Sequence, residues 1–223
     1  MPPISLHLPD WFVSGGPTMW VLAFMSVIAL ATLISKILQF SRVRPGSARQ
    51  ADRLLESLAK GQHPGNPGKL TSPIDRVVWQ CWQNSKLEDA AWQEESLRLA
   101  RTSLDNLRGG LRILEVISAV APLLGLLGTV FGMIGAFQAL ETAGSQVDPS
   151  ILSGGIWEAL LTTAAGLTVA IPTLAAFHWA DRNLELCREK MQDRLSRLKV
   201  LRNNNAESEP LEEDRDPSVA HAY

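Results

Sequence analysis

The sequence has 223 residues, of which 46% are hydrophobic, and its formal net charge is −2 at pH 7. Its hydrophobic residues are concentrated in three stretches without any Asp, Glu, Lys, Arg or His, at 11–35, 116–140 and 159–177, which excludes an ordinary soluble protein. The charges elsewhere alternate in sign, which is typical of solvated helix faces and excludes a nucleic-acid-binding patch.

Each of the three stretches can cross the ~30 Å hydrocarbon core of a bilayer, which needs about 20 helical residues. Lipid offers no water to the peptide groups, so a spanning segment must be a helix or part of a closed barrel. The stretches lack the strict alternation of barrel strands, so all three are predicted to be helices.

The basic residues predict the orientation, because Lys and Arg near membrane ends are retained in the cytoplasm. Of the 21 Lys and Arg residues, 12 lie at 42–112, 8 lie from Arg182 onward, and Lys36 marks the inner end of the first span. We therefore expect a periplasmic N-terminus and a cytoplasmic C-terminus. No basic residue precedes the first apolar stretch, so we interpret it as a retained anchor and not as a signal peptide.

Residues 1–16 mix apolar side chains with Pro9 and Asp10 and predict an amphipathic segment in the outer interface. The first span is predicted at 17–39, with Pro17 as its first residue. A cytoplasmic helical loop follows at 40–112.

Three helices are expected in this loop. The first is capped by Ser47, ends at Gly61 and has one apolar side; the second starts at Ser72 and Pro73; the third begins at Glu88. Gly109 and Gly110 predict a kink where the third helix meets the second span. The apolar residues of the three helices are Leu54, Leu55 and Leu58; Ile74, Val77, Val78, Cys81 and Trp82; and Leu97, Ala100, Leu104, Leu107 and Leu111.

The second span, predicted at 113–140, carries a stripe of small residues. The stripe consists of Ala121, Gly125, Gly128, Thr129, Gly132 and Ala136. Such stripes allow the backbones of neighbouring membrane helices to approach closely. Ordinary helix packing is one explanation of the stripe, and the wall of a narrow lumen is the other.

After a periplasmic loop at 141–155, the third span is predicted at 156–180 with a second stripe, formed by Ala159, Thr163, Gly166, Ala170 and Thr173. Thr162 and Thr168 add hydroxyl groups beside it. Each hydroxyl could bond to a carbonyl one turn earlier, but several on one side favour a polar lining. Pro172 either kinks the helix or offers the carbonyl of Thr168 to that lining.

The third helix is predicted to continue as a cytoplasmic amphipathic helix at 181–202, with Leu184, Cys187, Met191, Leu195, Leu198 and Leu201 on its apolar side. It should stop at 203–205. The remainder of the chain, 203–223, is rich in acids and is expected to be disordered.

No acid, His or Lys lies near the middle of any span, so the chain alone lacks the titratable group that a proton relay needs. Glu158, at the outer end of the third span, is either a lumen carboxylate or a solvated interfacial one. The four His residues lack metal-ligand spacing, no catalytic motif is present, and Cys81 and Cys187 are expected to be reduced packing residues. We therefore expect no metal, no cofactor and no enzyme activity.

The chain resembles the MotA, TolQ and ExbB family of proton-channel subunits, and is most similar to ExbB. The resemblance lies in WFVSGGPTMWVLAFMSVIALA at the first span, APLLGLLGTVFGMIGAF in the second and EALLTTAAGLTVAIPT in the third. MotA-type subunits have four spans, so a flagellar role is disfavoured.

The resemblance implies an oligomeric bundle around a central lumen. A homopentamer in the bilayer would enclose a pair of single-span partner helices of the ExbD or TolR type, whose membrane Asp takes up and releases protons. It also implies that Thr129 and Thr163 face this Asp and that Glu158 lies on the outer side of the lumen. A TonB-like protein would receive the energy. The alternatives are a TolQ-type subunit acting on a TolA-like protein, or a passive scaffold without proton coupling.

Overall fold

The computed structural model describes residues 16–44, 47–62, 64–143 and 149–208, and every regular element within them is an α-helix. The six helices are α1 (Gly16–Val43), α2 (Arg49–Ala59), α3 (Pro73–Gln83), α4 (Asp89–Arg108), α5 (Leu111–Ala143) and α6 (Pro149–Ser208). The predictions for residues 1–15, 144–148 and 209–223 lie outside the described residues.

Three helices have the length and composition needed to cross a membrane, as predicted. Their candidate spans are Gly16–Arg42, Leu111–Ala143 and Leu152–Asn204. The predicted class, an all-α protein with three membrane spans, is confirmed for the described residues.

The described residues form two compact units. The first, called here the membrane unit, consists of the chain up to Leu38 together with Gly110–Asp181. The second, called the loop unit, consists of Gln39–Gly109 together with the chain from Arg182 onward.

Small and medium-sized apolar side chains from α1, α5 and α6 form the core of the membrane unit. Leu22 of α1 packs with Ala121 of α5 and Ala170 of α6. A second cluster joins Ala29 of α1 to Leu114 and Ile117 of α5, with Phe177 of α6 packed against it. Most of the large apolar side chains face outward, among them Phe24, Leu123, Phe131, Leu160 and Ile171. An outer surface of this kind suits lipid or neighbouring membrane helices better than water.

The loop unit has a core made by the apolar faces of its short helices and of the second half of α6. Its buried side chains include Leu54, Leu55 and Leu58 of α2; Ile74, Val77, Val78 and Cys81 of α3; Trp92 and Leu107 of α4; and Cys187, Met191 and Leu198 of α6. These agree with most of the predicted apolar positions. Leu97 of α4 differs, because its side chain is exposed.

Two side chains stabilise the N-termini of α3 and α2: Ser72 stabilises that of α3 and Asp75 that of α2. Ser72 caps α3, as predicted, by accepting a hydrogen bond from the backbone N–H of Ile74, and its hydroxyl donates to the carbonyl of Ser47. The predicted cap of α2 by Ser47 is wrong, because the residue at the capping position is Ala48, which has no polar side chain. Asp75 supplies the missing acceptor.

Asp75 Oδ1 accepts the backbone N–H groups of Gln50 and Ala51 at 3.0 and 2.8 Å. These are among the first N–H groups of α2, which have no partner within their own helix. Burial raises the pKa of Asp75, and the two N–H bonds offset part of that rise. The start of α2 is therefore held by a buried side chain of the next helix.

The chain between the loop helices and the second span breaks at the two glycines for which a kink was predicted. The helix α4 ends at Arg108, Gly110 has a φ of +82° and α5 starts at Leu111. A φ in this region favours glycine, which has no Cβ to clash with the backbone. At the other end of the chain, α6 continues to Ser208, beyond the predicted stop at 203–205.

Candidate functional site

The small residues of α5 lie against small residues of α6, and this contact forms the centre of the membrane unit. The pairs run in opposite chain directions: Ala121 meets Gly166, Gly132 meets Ala159, and Ala136 meets Gly155. The two helices are therefore antiparallel. The stripe predicted on α5 forms this contact within a single chain, so it does serve helix packing.

The backbones approach so closely that a side chain has no room at several glycines. A Cβ on Gly166 would stand 2.7 Å from the carbonyl oxygen of Ala121, and one on Gly155 would stand 2.3 Å from the Cβ of Ala136. A Cβ on Gly125 would stand 3.0 Å from the carbonyl oxygen of Thr162. Distances below 3.0 Å require the backbone or a neighbouring side chain to move.

Thr162 is the more deeply buried of the two adjacent threonines of α6 that contact α5. Thr162 is 1% exposed, and its hydroxyl donates to the carbonyl of Ala159 at 2.8 Å. Thr163 is half-buried at the edge of the contact, where its hydroxyl lies 3.4 Å from the carbonyl of Gly125 on α5. The predicted stripe placed Thr163 in line and Thr162 beside it, and the structure buries Thr162 more deeply.

The other predicted hydroxyl groups bond to carbonyls of their own helices. Thr129 is half-buried and donates to Leu126 at 2.6 Å, while the buried Thr173 donates to Val169 at 2.7 Å. Thr168 is exposed and donates to Ala164. Within this conformation Thr162 and Thr173 are enclosed by their own chain, and Thr129 and Thr163 retain some exposed surface.

Glu158 lies beside the first residue of α1. One oxygen of its half-buried carboxyl group stands 3.5 Å from the place that a Cβ would take on Gly16, whose φ is +62°. A carboxylate near the N-terminus of a helix is favoured by the positive end of the helix dipole. The position of Glu158 is therefore compatible with stabilising the start of α1 as well as with the lumen role that the resemblance implies.

Of the small residues in the contact, Gly155 was missed by the sequence prediction, and Thr162 was predicted to lie beside the stripe and not within it. The pattern could have revealed both, because 155, 159, 162, 166, 170 and 173 follow one another at intervals of three and four residues. Pro172 is exposed and lies within α6 without ending the helix.

No titratable side chain takes part in the described α5–α6 contacts. Among the described residues, no group of three or more His, Cys, Asp or Glu side chains could hold a metal ion. The arrangement can hold helices close together and can present hydroxyl groups at its edge, but its own residues offer nothing there that takes up a proton at physiological pH.

Comparison with known proteins shows similarity over most of the chain. The model of the MotA/TolQ/ExbB proton channel family matches residues 69–193, which are more than half of the chain. A putative biopolymer transport protein, ExbB-like 1, of Synechocystis is 34% identical over 182 residues, covering 77% of this chain and 69% of that protein.

Two further relatives carry related names. The biopolymer transport protein exbB1 of Vibrio cholerae is 28% identical over 187 residues, covering 74% of this chain and 76% of the relative. The biopolymer transport protein ExbB of Neisseria meningitidis is 25% identical over 199 residues, with 81% of this chain and 90% of the relative covered. The region that the family model matches includes α3, α4 and the α5–α6 contact.

Proposed function

Because the chain belongs to the MotA/TolQ/ExbB proton channel family and is most like its ExbB members, we propose that it is the channel and scaffold subunit of an inner-membrane motor driven by the proton-motive force. The motor energises TonB-dependent transport across the outer membrane. In the proposed arrangement the N-terminus is periplasmic and the C-terminus is cytoplasmic, as the distribution of Lys and Arg predicts.

The observation that carries this proposal is the close packing of α5 against α6, together with the lack of charged side chains among the residues of that contact. The contact has small residues and hydroxyl groups, and no carboxyl group lies within it. Proton transfer through a membrane protein normally needs a titratable group in the span. A second protein therefore has to bring this group.

The partner that fits is a single-span protein of the ExbD type with an Asp in its membrane helix. A homopentamer of this chain would surround the partner helices, with Thr129 and Thr163 at the lumen surface. Their half-buried state supports this role, since a hydroxyl group that retains exposed surface can accept a hydrogen bond from water, and can donate to a carboxylate once its hydrogen turns away from the helix carbonyl. Thr162 and Thr173 would keep the wall of the lumen packed.

The available energy is adequate for such work. A proton that crosses ~150 mV releases roughly 3.5 kcal/mol, from about 2.3 kcal/mol for each 100 mV. This value is comparable with the roughly 1 to 3 kcal/mol of a typical coupling between two sites.

The test is transport in bacterial cells that lack their own energising subunit and express this chain with an ExbD-type partner and TonB. We expect uptake of a TonB-dependent substrate, its loss on adding a protonophore, and its loss when the partner's membrane Asp is replaced with Asn. Uptake that persists after the protonophore has collapsed the proton gradient would contradict the proposal and favour a passive scaffold.

A further inference from the structure

The cytoplasmic end of α6 carries an arginine whose guanidinium group is almost completely engaged. Arg202 Nε donates to the carbonyl of Ser85 at 3.0 Å, Nη1 donates to Asp89 Oδ1 at 3.0 Å, and Nη2 donates to the carbonyl of Leu87 at 2.7 Å. Its guanidinium carbon also lies 5.1 Å from the centre of the Trp92 ring. All of these residues belong to the loop unit.

Burial separates this arginine from an ordinary surface ion pair. The side chain of Arg202 is 13% exposed, whereas that of Arg197, which pairs with Asp193 one turn away on the same helix, is 66% exposed. Exposed pairs of the second kind contribute little, because water and salt screen them. Arg202 instead donates hydrogen bonds from its planar guanidinium group and also lies against the face of an aromatic ring. Only arginine can make both kinds of contact at once.

The acceptors of Arg202 belong to the turn between α3 and α4. In this turn the backbone N–H of Asn84 donates to the carbonyl of Gln80, that of Ser85 to the carbonyl of Trp82 and that of Leu87 to the carbonyl of Asn84. The carbonyls of Ser85 and Leu87 take no part in these three bonds and accept from Arg202.

Trp92 extends the contact to α3. It is 3% exposed, and its ring N–H donates to the carbonyl of Cys81 at 2.8 Å. Arg202 therefore contacts the α3–α4 turn directly and is joined to α3 through one buried indole. Three helices meet at this point.

We propose that Arg202 is a positioning residue of the motor, which fixes the rotation of α6 relative to the α3–α4 turn. The residue lies four positions after the buried Leu198 and so continues the buried face of α6. Turning α6 by one residue, about 100°, would carry the guanidinium group away from the turn and from Trp92. This set of contacts is called here the Arg202 latch.

The functional part of this inference rests on the proposed function. The helix that bears Thr163 is the same helix that bears Arg202, since α6 is continuous from Pro149 to Ser208. The latch would hold the loop helices to α6 while the motor works.

Hydrogen exchange tests the latch in the purified full-length protein with its partner in detergent. We expect Arg202→Ala to speed exchange at the amides of Asn84, Ser85 and Leu87 by about tenfold, the effect of losing one or two hydrogen bonds to a charged group. Arg197→Ala is the matched control and should leave these amides unchanged. If these amides of Arg202→Ala exchange at the wild-type rate, the latch is overturned.

If Arg202→Ala does not accumulate, Arg202→Lys gives the same test, because lysine keeps the charge but cannot bond to Ser85, Leu87 and Asp89 together. It should show a smaller increase at the same amides. Exchange at the wild-type rate in this variant would also count against the latch.

Transport in cells tests the positioning role. Uptake per assembled complex should be lost in Arg202→Ala, reduced in Arg202→Lys and normal in Arg197→Ala, with equal amounts of oligomer and bound partner in each case. Faster exchange together with normal uptake per complex would overturn the positioning role. A wild-type protein whose uptake ignores a protonophore would instead contradict the proposed function, and the exchange result would stand by itself.

Discussion

Gly128 of α5 lies directly against Thr162 of α6. A Cβ on Gly128 would stand 2.6 Å from both the Cβ and the hydroxyl oxygen of Thr162 and 3.0 Å from its methyl carbon. Thr162 is 1% exposed and donates its hydroxyl hydrogen to its own helix, so it has no free space into which it could turn. The size of residue 128 is therefore limited by one buried side chain.

We expect Gly128→Ala to destabilise the membrane unit by about 1–3 kcal/mol, the usual cost of adding a methyl group to a packed interior. The measurement is the thermal unfolding midpoint of the purified protein in detergent. Gly135→Ala on the same helix is the control, because nothing lies within 4 Å of a Cβ at that position. The control should be neutral or more stable, since glycine inside a helix costs roughly 0.5–1 kcal/mol relative to alanine.

The double variant Gly128→Ala with Thr162→Gly exchanges the larger and the smaller residue across the same contact. We expect it to recover part of the loss caused by Gly128→Ala, since the added methyl group then faces a position without a side chain. Equal losses in Gly128→Ala and Gly135→Ala would contradict the close contact.

Gly154 and Gly155 form a second comparison, between two adjacent residues of α6. A Cβ on Gly155 would stand 2.3 Å from the Cβ of Ala136, whereas nothing lies within 4 Å of a Cβ on Gly154. Gly155→Ala should lower the yield of folded protein and its unfolding midpoint, by about 1–3 kcal/mol in the free energy of unfolding. Gly154→Ala should not. A loss confined to Gly154→Ala would show that α5 and α6 meet in a different register.

Most α5 residues of the contact were predicted from the sequence, because glycine and alanine recur there at helical intervals, although the same stripe was also compatible with a lumen wall. The sequence was insufficient for α6, where Thr162 and Thr163 both lie near the same face and differ in direction by about 100°. Only the position of α5 decides between them. Because both residues are threonines, the sequence does not show which of them is buried against α5.

Arg202 shows a second limit of prediction. In the sequence it is one charge in a helix that carries many charges of both signs, and a solvated position was the natural interpretation. Its place on the buried face follows from the interval to Leu198, but its partners are two backbone carbonyls, whose location depends on the path of the α3–α4 turn. Backbone acceptors cannot be recognised from residue type.

For the lumen we expect Thr129→Val and Thr163→Val each to abolish energised uptake while the complex still assembles. Valine has nearly the shape of threonine, so the change removes the hydroxyl group and with it the bond to water or to the partner's carboxylate. Thr168→Val is the control on α6, because Thr168 is exposed and its hydroxyl bonds to Ala164 of its own helix. Normal uptake in both Thr129→Val and Thr163→Val would refute their role.

Asp75 allows a test of the loop unit that does not depend on transport. Asp75→Ala leaves the N–H groups of Gln50 and Ala51 without their acceptor, which should cost about 1 kcal/mol, as for the loss of a helix cap. Asp75→Asn keeps an oxygen at the same place and should remain close to wild type. Thermal unfolding of the full-length protein in detergent measures both. An Asp75→Ala variant as stable as wild type would show that water replaces the carboxylate.

The pH dependence of the same variants has a definite sign. Burial raises the pKa of Asp75 above its ordinary value of 3.8, so between these two values the folded protein binds more protons at this site than the unfolded chain. The contribution of Asp75 to stability must then fall as pH rises through this window and become constant above it. Asp75→Asn has no such proton. The unfolding midpoint of wild type should therefore fall relative to that of Asp75→Asn as pH rises through this window. A difference that moves in the opposite direction would mean that the two N–H bonds outweigh burial, and that the folded protein holds Asp75 ionised more easily than the unfolded chain does.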